Sequence, residues 1–213
     1  MAPTVPRPRR PLPDGGGVRQ WYENELGWPT VPGTPRGAGA GPGVLLVTGV
    51  RFDALEVPSR AARAVLERPG GGAAVGPVAR CGPRTRFLVA AGSAEEVPGL
   101  LAWLEWGALA GELGLVAVGA GRTIEAPRPP GWPAPGGGPA GAPAWVRPPE
   151  PGRPVEPSLP ALRPLAAHRV RGNARGGGGD APDLVRLVDA VASECLRVRL
   201  GRARDQRWAS SYA

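Results

Sequence analysis

Apolar and polar positions alternate along this chain in blocks that predict its elements one after another. Gly43 to Gly49 (GVLLVTG) and Val50 to Val57 (VRFDALEV) are short apolar runs and read as two strands. Pro58 and Ser59 then open a helical pattern, SRAARAVLER, with Ala62, Val65 and Leu66 on one face. Pro69 and the glycines after it predict its end. AAVGPVAR and RTRFLVAAG read as strands of a hairpin joined through Cys81-Gly82-Pro83-Arg84. Ser93 with Glu96 matches an S-x-x-E capping box, and the helix it opens repeats Val97, Leu100, Leu101 and Leu104 at helical spacing. LGLVAVG (Leu113 to Gly119) and RTIEAP (Arg122 to Pro127) predict a further hairpin turning at Ala120-Gly121.

The clearest element comes last. DAPDLVRLVDAVASECLRVRLG carries Asp180 at the N-cap, Asp183 in the first turn, Arg197 and Arg199 in the last turn, and Gly201 at the C′ position. Leu184, Leu187, Val188, Val191, Cys195 and Val198 form one apolar stripe, so this helix is expected to pack on the domain. At the other end, VRQWYENELGWPTVPG predicts a short helix ending at Gly27, docked by Trp21 and Tyr22, then an arm fixed by Pro29 and Pro32. Trp103 and Trp106 flank the capped helix and are expected to serve the core or anchor a loop.

The order β-β-α-β-β-α-β-β, then a linker and a helix, predicts an α+β fold: a mixed or antiparallel sheet with helices packed on one face. Glycine (34) and proline (29) make up almost a third of the 213 residues and concentrate in 1–18, 33–43, 127–157 and 171–180, which read as connectors unable to bury a core. The expected organisation is a basic, Pro-rich tail over 1–17, one domain over 18–150, a Pro/Gly-rich linker over 151–180, an amphipathic helix over 181–201 and a basic tail over 202–213.

Composition adds charge. All 26 basic residues are arginine, and the formal net charge is +8. That balance attracts polyanions, nucleic acid first, although the coding bias of a GC-rich genome raises arginine without selection for binding. The two cysteines, Cys81 and Cys195, have no metal-type spacing, and the single histidine, His168, falls in the linker. No secretory leader pattern follows Met1, and no run approaches the roughly 20 apolar residues of a membrane span, so a cytoplasmic protein without a membrane partner is expected.

Several phrases then fall into one order: LGWPTVPG, TGVRFDALEVP, VGPVAR with TRFLVAAG, LGLVAVGAGRTIEAPRPP and AWVRPPEP. Over residues 21–150 this order resembles the bifunctional DNA primase/polymerase N-terminal domain of the archaeo-eukaryotic primase superfamily. The resemblance implies a palm-like sheet on which three motifs converge. These are an acidic pair on a strand, a small residue followed by a histidine at a strand start, and a further acid before a Gly-rich turn. The acids would hold two Mg²⁺ or Mn²⁺ ions that activate a 3′-hydroxyl and neutralise a nucleotide triphosphate.

Carried onto this chain, the first motif falls on Asp53 and Glu56, three residues apart. Residues i and i+2 of a strand share a face, whereas i and i+3 do not, so the pair is not expected to hold one metal site unless a bulge intervenes. Arg84, Thr85 and Arg86 stand where the histidine is expected, and Gly114 stands where the third acid is expected, with Glu112 two residues earlier. Asp53, Glu56 and Glu112 are therefore the catalytic candidates if the chain is active, with Asp53 the metal ligand. Arg51, Arg84, Arg86 and Arg122 are the candidate phosphate-binding residues. The expectation for Asp53 is a buried acid satisfied by backbone or by an arginine such as Arg51 or Arg86. The arginine-rich ends, Arg7 to Arg10 and Arg197 to Arg207, are candidates for nonspecific phosphate contacts.

Taken together, the resemblance and the departures from its motifs imply a primase/polymerase-like protein without catalysis, a pseudoenzyme needing no cofactor and retaining weak, nonspecific nucleic-acid or nucleotide binding. Two other readings stand beside it: a protein-interaction module with an unidentified protein partner, and an active Mg²⁺- or Mn²⁺-dependent nucleotidyltransferase.

Overall fold

The computed structural model describes residues 15–34, 43–68, 75–132, 142–162 and 183–210. Eight strands form two antiparallel sheets. The smaller contains β1 (Thr30–Pro32), β2 (Val44–Val47) and β7 (Thr123–Glu125) in the order β1-β2-β7. The larger runs β6 (Val116–Val118), β3 (Asp53–Pro58), β5 (Arg84–Val89), β4 (Val78–Cys81) and β8 (Ala144–Arg147).

Within the larger sheet the chain passes β3, α2 (Ser59–Glu67), β4, β5, α3 (Ser93–Trp103) and β6. With β3 and β5 in the middle, this is the split βαβ, ferredoxin-like arrangement, to which β8 adds an outer strand. The β4–β5 hairpin turns at Gly82-Pro83, with Cys81 paired to Arg84, as the sequence predicts.

Strand alternation divides the interior into two cores. Leu55, Val57, Phe87 and Val89 face α2, α3 and α4 (Leu184–Ser210), and pack with Ala61, Ala62, Val65, Val97 and Leu101. Ala54 and Leu88 point the other way, into a second cluster with Phe52, Trp28, Tyr22, Leu46 and Ile124. This cluster ties the smaller sheet and the N-terminal helix α1 (Gly15–Gln20), with the π-helical turn Trp21–Glu25 after it, to the larger sheet. Tyr22 is fully buried and donates its hydroxyl to the Pro127 carbonyl at 2.6 Å, while Trp21 packs edge-on against its ring.

The predicted stripe of α4 is the buried one: Leu184, Leu187, Val188, Val191 and Cys195 all lie in the first core, with Val198 at its edge. Burial pushes the Cys195 thiol up to about 11, despite the opposing field of Arg84. Glu194 is also buried and ion-paired to Arg68 and Arg197, which ties α4 to the end of α2.

Several expectations are corrected. The helix does not end at Gly201 but continues to Ser210, because glycine costs a helix interior only about 1 kcal/mol and nothing in the next turns breaks it. The expected basic tail over 202–213 thus begins as helix. Asp183 caps α4 by accepting from the Val185 and Arg186 amides, whereas Asp180 lies outside the described residues. The tail expected over 1–17 already carries the start of α1 at Gly15.

The linker expected over 151–180 starts too early, since Val155 and Leu159 are buried in the second core. Segment 127–157 supplies β8 and the buried Pro127, Pro129 and Pro149, so it is not only a connector. β6 and β7 do not form a hairpin but belong to different sheets. Gly119 passes over the start of α3, where a Cβ would meet that of Ala94 at 2.9 Å, and the chain turns away there. Trp103 is exposed rather than a core residue, and only Trp106 anchors, its indole N–H reaching Asp189 at 3.1 Å.

Because α4 fills the core rather than hanging from a linker, Leu187→Ala is expected to destabilise the whole domain by about 2–5 kcal/mol. Urea unfolding followed by Trp fluorescence would show a lowered midpoint. An unchanged midpoint would mean that α4 is an appendage.

Candidate functional site

The three candidate acids occupy three different surroundings. Asp53 begins β3 on the helix side and is fully buried. Its Oδ2 accepts the Ala94 amide of α3 at 2.9 Å, while Oδ1 has no hydrogen-bond partner among the described residues. The first N–H groups of a helix lack intrahelical partners and carry partial positive charge, so a carboxylate here satisfies a donor and complements the helix dipole. This is the backbone partner expected for Asp53, and neither Arg51 nor Arg86 reaches it. The predicted capping box does not form: the Ser93 amide donates to the Ala90 carbonyl at 3.0 Å. The N-cap position belongs to Gly92 in left-handed conformation, and no side chain caps α3 from there.

Glu56 lies on the opposite face of β3. It sits directly across from Arg86 in the β3–β5 ladder. Oε2 accepts from Arg86 Nε at 2.9 Å and Oε1 from Arg84 Nε at 3.1 Å, while Arg84 Nη2 also reaches the Glu56 carbonyl at 2.9 Å. Burial alone would raise the Glu56 pKa, but the Arg86 and Arg84 guanidiniums outweigh it and hold the carboxyl below its ordinary range. Arg86 Nη1 is buried without a hydrogen-bond partner, so the cluster is not fully satisfied internally.

Glu112 lies in the 3₁₀ turn Gly107–Glu112 after α3, is exposed, and pairs with Arg199 of α4. Gly114 follows with φ +64°, a conformation that disfavours an acid at this position. The three carboxylates therefore do not meet in one cavity. More broadly, no group of three His, Cys, Asp or Glu that could hold a metal ion exists among the described residues. The donor set does not fit a two-metal centre. His168 lies outside the described residues.

The candidate phosphate-binding arginines divide similarly. Arg51 pairs with Glu156 at 2.9 Å, a contact that sequence spacing could not reveal because Glu156 was assigned to a linker. Arg84 and Arg86 are held by Glu56, and Arg122 is exposed beside β7. Cys81 of β4 sits 3.8 Å from Glu125 of β7, so Glu125 joins this side of the sheet, a neighbour the sequence reading missed.

Charge is unevenly spread. Eighteen of the 26 arginines and sixteen of the 18 acids fall in the described residues, nearly balancing there, so most of the +8 is carried by the remaining segments. No helix among the described residues is long and apolar enough to cross a membrane. The chain matches no family model, no curated protein and no solved structure.

Two predictions follow from the acids. Asp53→Ala removes the acceptor of the Ala94 amide and is expected to cost about 1–2 kcal/mol in thermal or urea unfolding, equally with and without Mn²⁺. Asp53→Asn, which keeps an acceptor, is expected to lose less. A loss confined to Mn²⁺-containing buffer would instead mark Asp53 as a metal ligand. Glu56 contributes stability that is present above its ordinary pKa of 4.5 and is lost as pH falls through its lower folded value. The acid limb of the stability curve should therefore flatten in Glu56→Gln, as read by urea midpoints between pH 3 and 7.

Proposed function

We propose that this chain is a primase/polymerase-like protein that does not transfer nucleotides and that acts in the cytoplasm as a nucleic-acid-binding module. Two observations of different kinds support the family part of this reading. The motif phrases run in order over residues 21–150, and the split βαβ sheet is compatible with the palm-like core that the resemblance implies. Binding is supported by the +8 charge, which a polyanionic partner would neutralise.

The observation that carries the non-catalytic part is the separation of the acids. In-line transfer of a nucleotidyl group requires carboxylates that share the metal ions bridging nucleophile and leaving group. Asp53 instead caps α3 from beneath the helices, while Glu56 is neutralised by two arginines on the other face. Reorienting either one would break a helix cap or leave two guanidiniums without their counter-charge.

The test is primer extension on a single-stranded template with Mg²⁺ or Mn²⁺, comparing the wild type with Asp53→Ala and Glu56→Gln. No incorporation above background is expected from any of the three. Template-directed extension by the wild type that either substitution abolishes would overturn the proposal.

A further inference from the structure

The last elements of α4 have no role in either core. The helix spans 27 residues, about 40 Å, but its buried stripe ends at Cys195, with Val198 only packed against the edge. Beyond that point Arg199, Leu200, Gly201, Arg202 and Arg204 are exposed. Four residues after Cys195 comes Arg199, which pairs with Glu112, and four after Val198 comes Arg202, so the face that was apolar along the domain turns to arginine beyond Val198. Arg197 and Arg204, seven residues apart, lie on the opposite face. Arg197 pairs with Glu194 and Arg199 with Glu112, so Arg202 and Arg204, on opposite faces and exposed, carry the charge this end of the helix presents.

We propose that this projecting end of α4 is the surface that holds nucleic acid, through sequence-independent contacts to its phosphates. The inference rests on the nucleic-acid reading above and says where on the molecule the contact is made. Between Arg199 and Arg204 only Leu200 and Ala203 are apolar, too little to bury against a protein partner, and a second copy of this chain would bring like charges together. An interfacial membrane helix needs a continuous apolar face, which Leu200 and Ala203 alone do not make between Arg199 and Arg204. A row of guanidiniums on a rod is matched by a regularly charged backbone, and each phosphate neutralised releases condensed counterions.

The experiment uses the full chain and a fluorescein-labelled 20-base-pair duplex DNA, with anisotropy measured between 50 and 200 mM NaCl. Three proteins are compared: the wild type, Arg202→Gln/Arg204→Gln, and Arg19→Gln/Arg153→Gln. The last changes net charge equally at exposed positions on the opposite side of the larger sheet. The α4 variant is expected to bind about tenfold more weakly at the lowest salt, with a log–log salt slope shallower by about 2. The control should retain wild-type binding, and all three should unfold at the same urea midpoint. Equal weakening in both variants would show that only net charge matters and overturn the assignment to α4. Wild-type binding that neither variant changes would overturn it too, while leaving the nucleic-acid reading in place. A wild type that binds no DNA at 50 mM NaCl, or that binds only vesicles containing phosphatidylserine, would overturn both.

Discussion

The pairing of β3 with β5 sets the terms for everything else in this molecule. Six residue pairs, from Asp53 with Val89 to Pro58 with Arg84, hold the register of the two central strands. Side chains alternate strictly along a strand, so that register alone sends Asp53, Leu55 and Val57 to the helices and Ala54 and Glu56 to the other side. A slip of one residue would bury Glu56 among Leu101, Val97 and Val191 while exposing Leu55. The cross-strand Glu56–Arg86 pair favours the observed register, because the slipped one would separate these charges and place a carboxylate in an apolar core.

The two cores depend on that alternation in different ways. The helix-side core is closed by α4, whose stripe is long and whose polar anchors include Glu194 with Arg68, Asp189 with Trp106 and Arg199 with Glu112. The other core is closed by aromatic residues. Trp28 packs against Tyr22, Phe52 and Trp145 with ring centroids from 4.6 to 6.4 Å away, joining the N-terminal segment, the start of β3 and β8. Beyond this aromatic cluster the outer face of the larger sheet carries charge, where Glu56 pairs with both Arg84 and Arg86.

Much of this was legible in the sequence because it is local. The α4 stripe, the Gly82-Pro83 hairpin and the helix after Pro58 each follow from spacing within a few residues. The separation of Asp53 and Glu56 was legible for the same reason, since strand periodicity needs no tertiary knowledge. What was not legible depended on partners far along the chain. The Ala94 amide that donates to Asp53 is 41 residues from it, and Glu156, which pairs with Arg51, is 105 residues away. The assignment of β6 and β7 to different sheets was hidden by proximity: two short strands joined by Gly119-Ala120-Gly121 look like a hairpin. The chain between them runs close to Ala94 at Gly119 and against Gly49 at Ala120, contacts far along the sequence.

The same register limits how a metal-binding pair could arise on β3. An acid two residues from Asp53 would stand at Leu55, which has no exposed surface and packs among the helices, so the pair would be sealed in an apolar core. An acid two residues from Glu56 on its own face would stand at Ala54 or Pro58. Ala54 lies beneath the aromatic cluster, and Pro58 leads directly into α2 with Arg84 opposite it. Each alternative places a second carboxylate either out of contact with solvent or against a guanidinium that would compete with a cation for it. The strand that most resembles a catalytic motif is thus the one whose packing leaves least room for it, and its two acids are accounted for by a helix cap and a charge cluster.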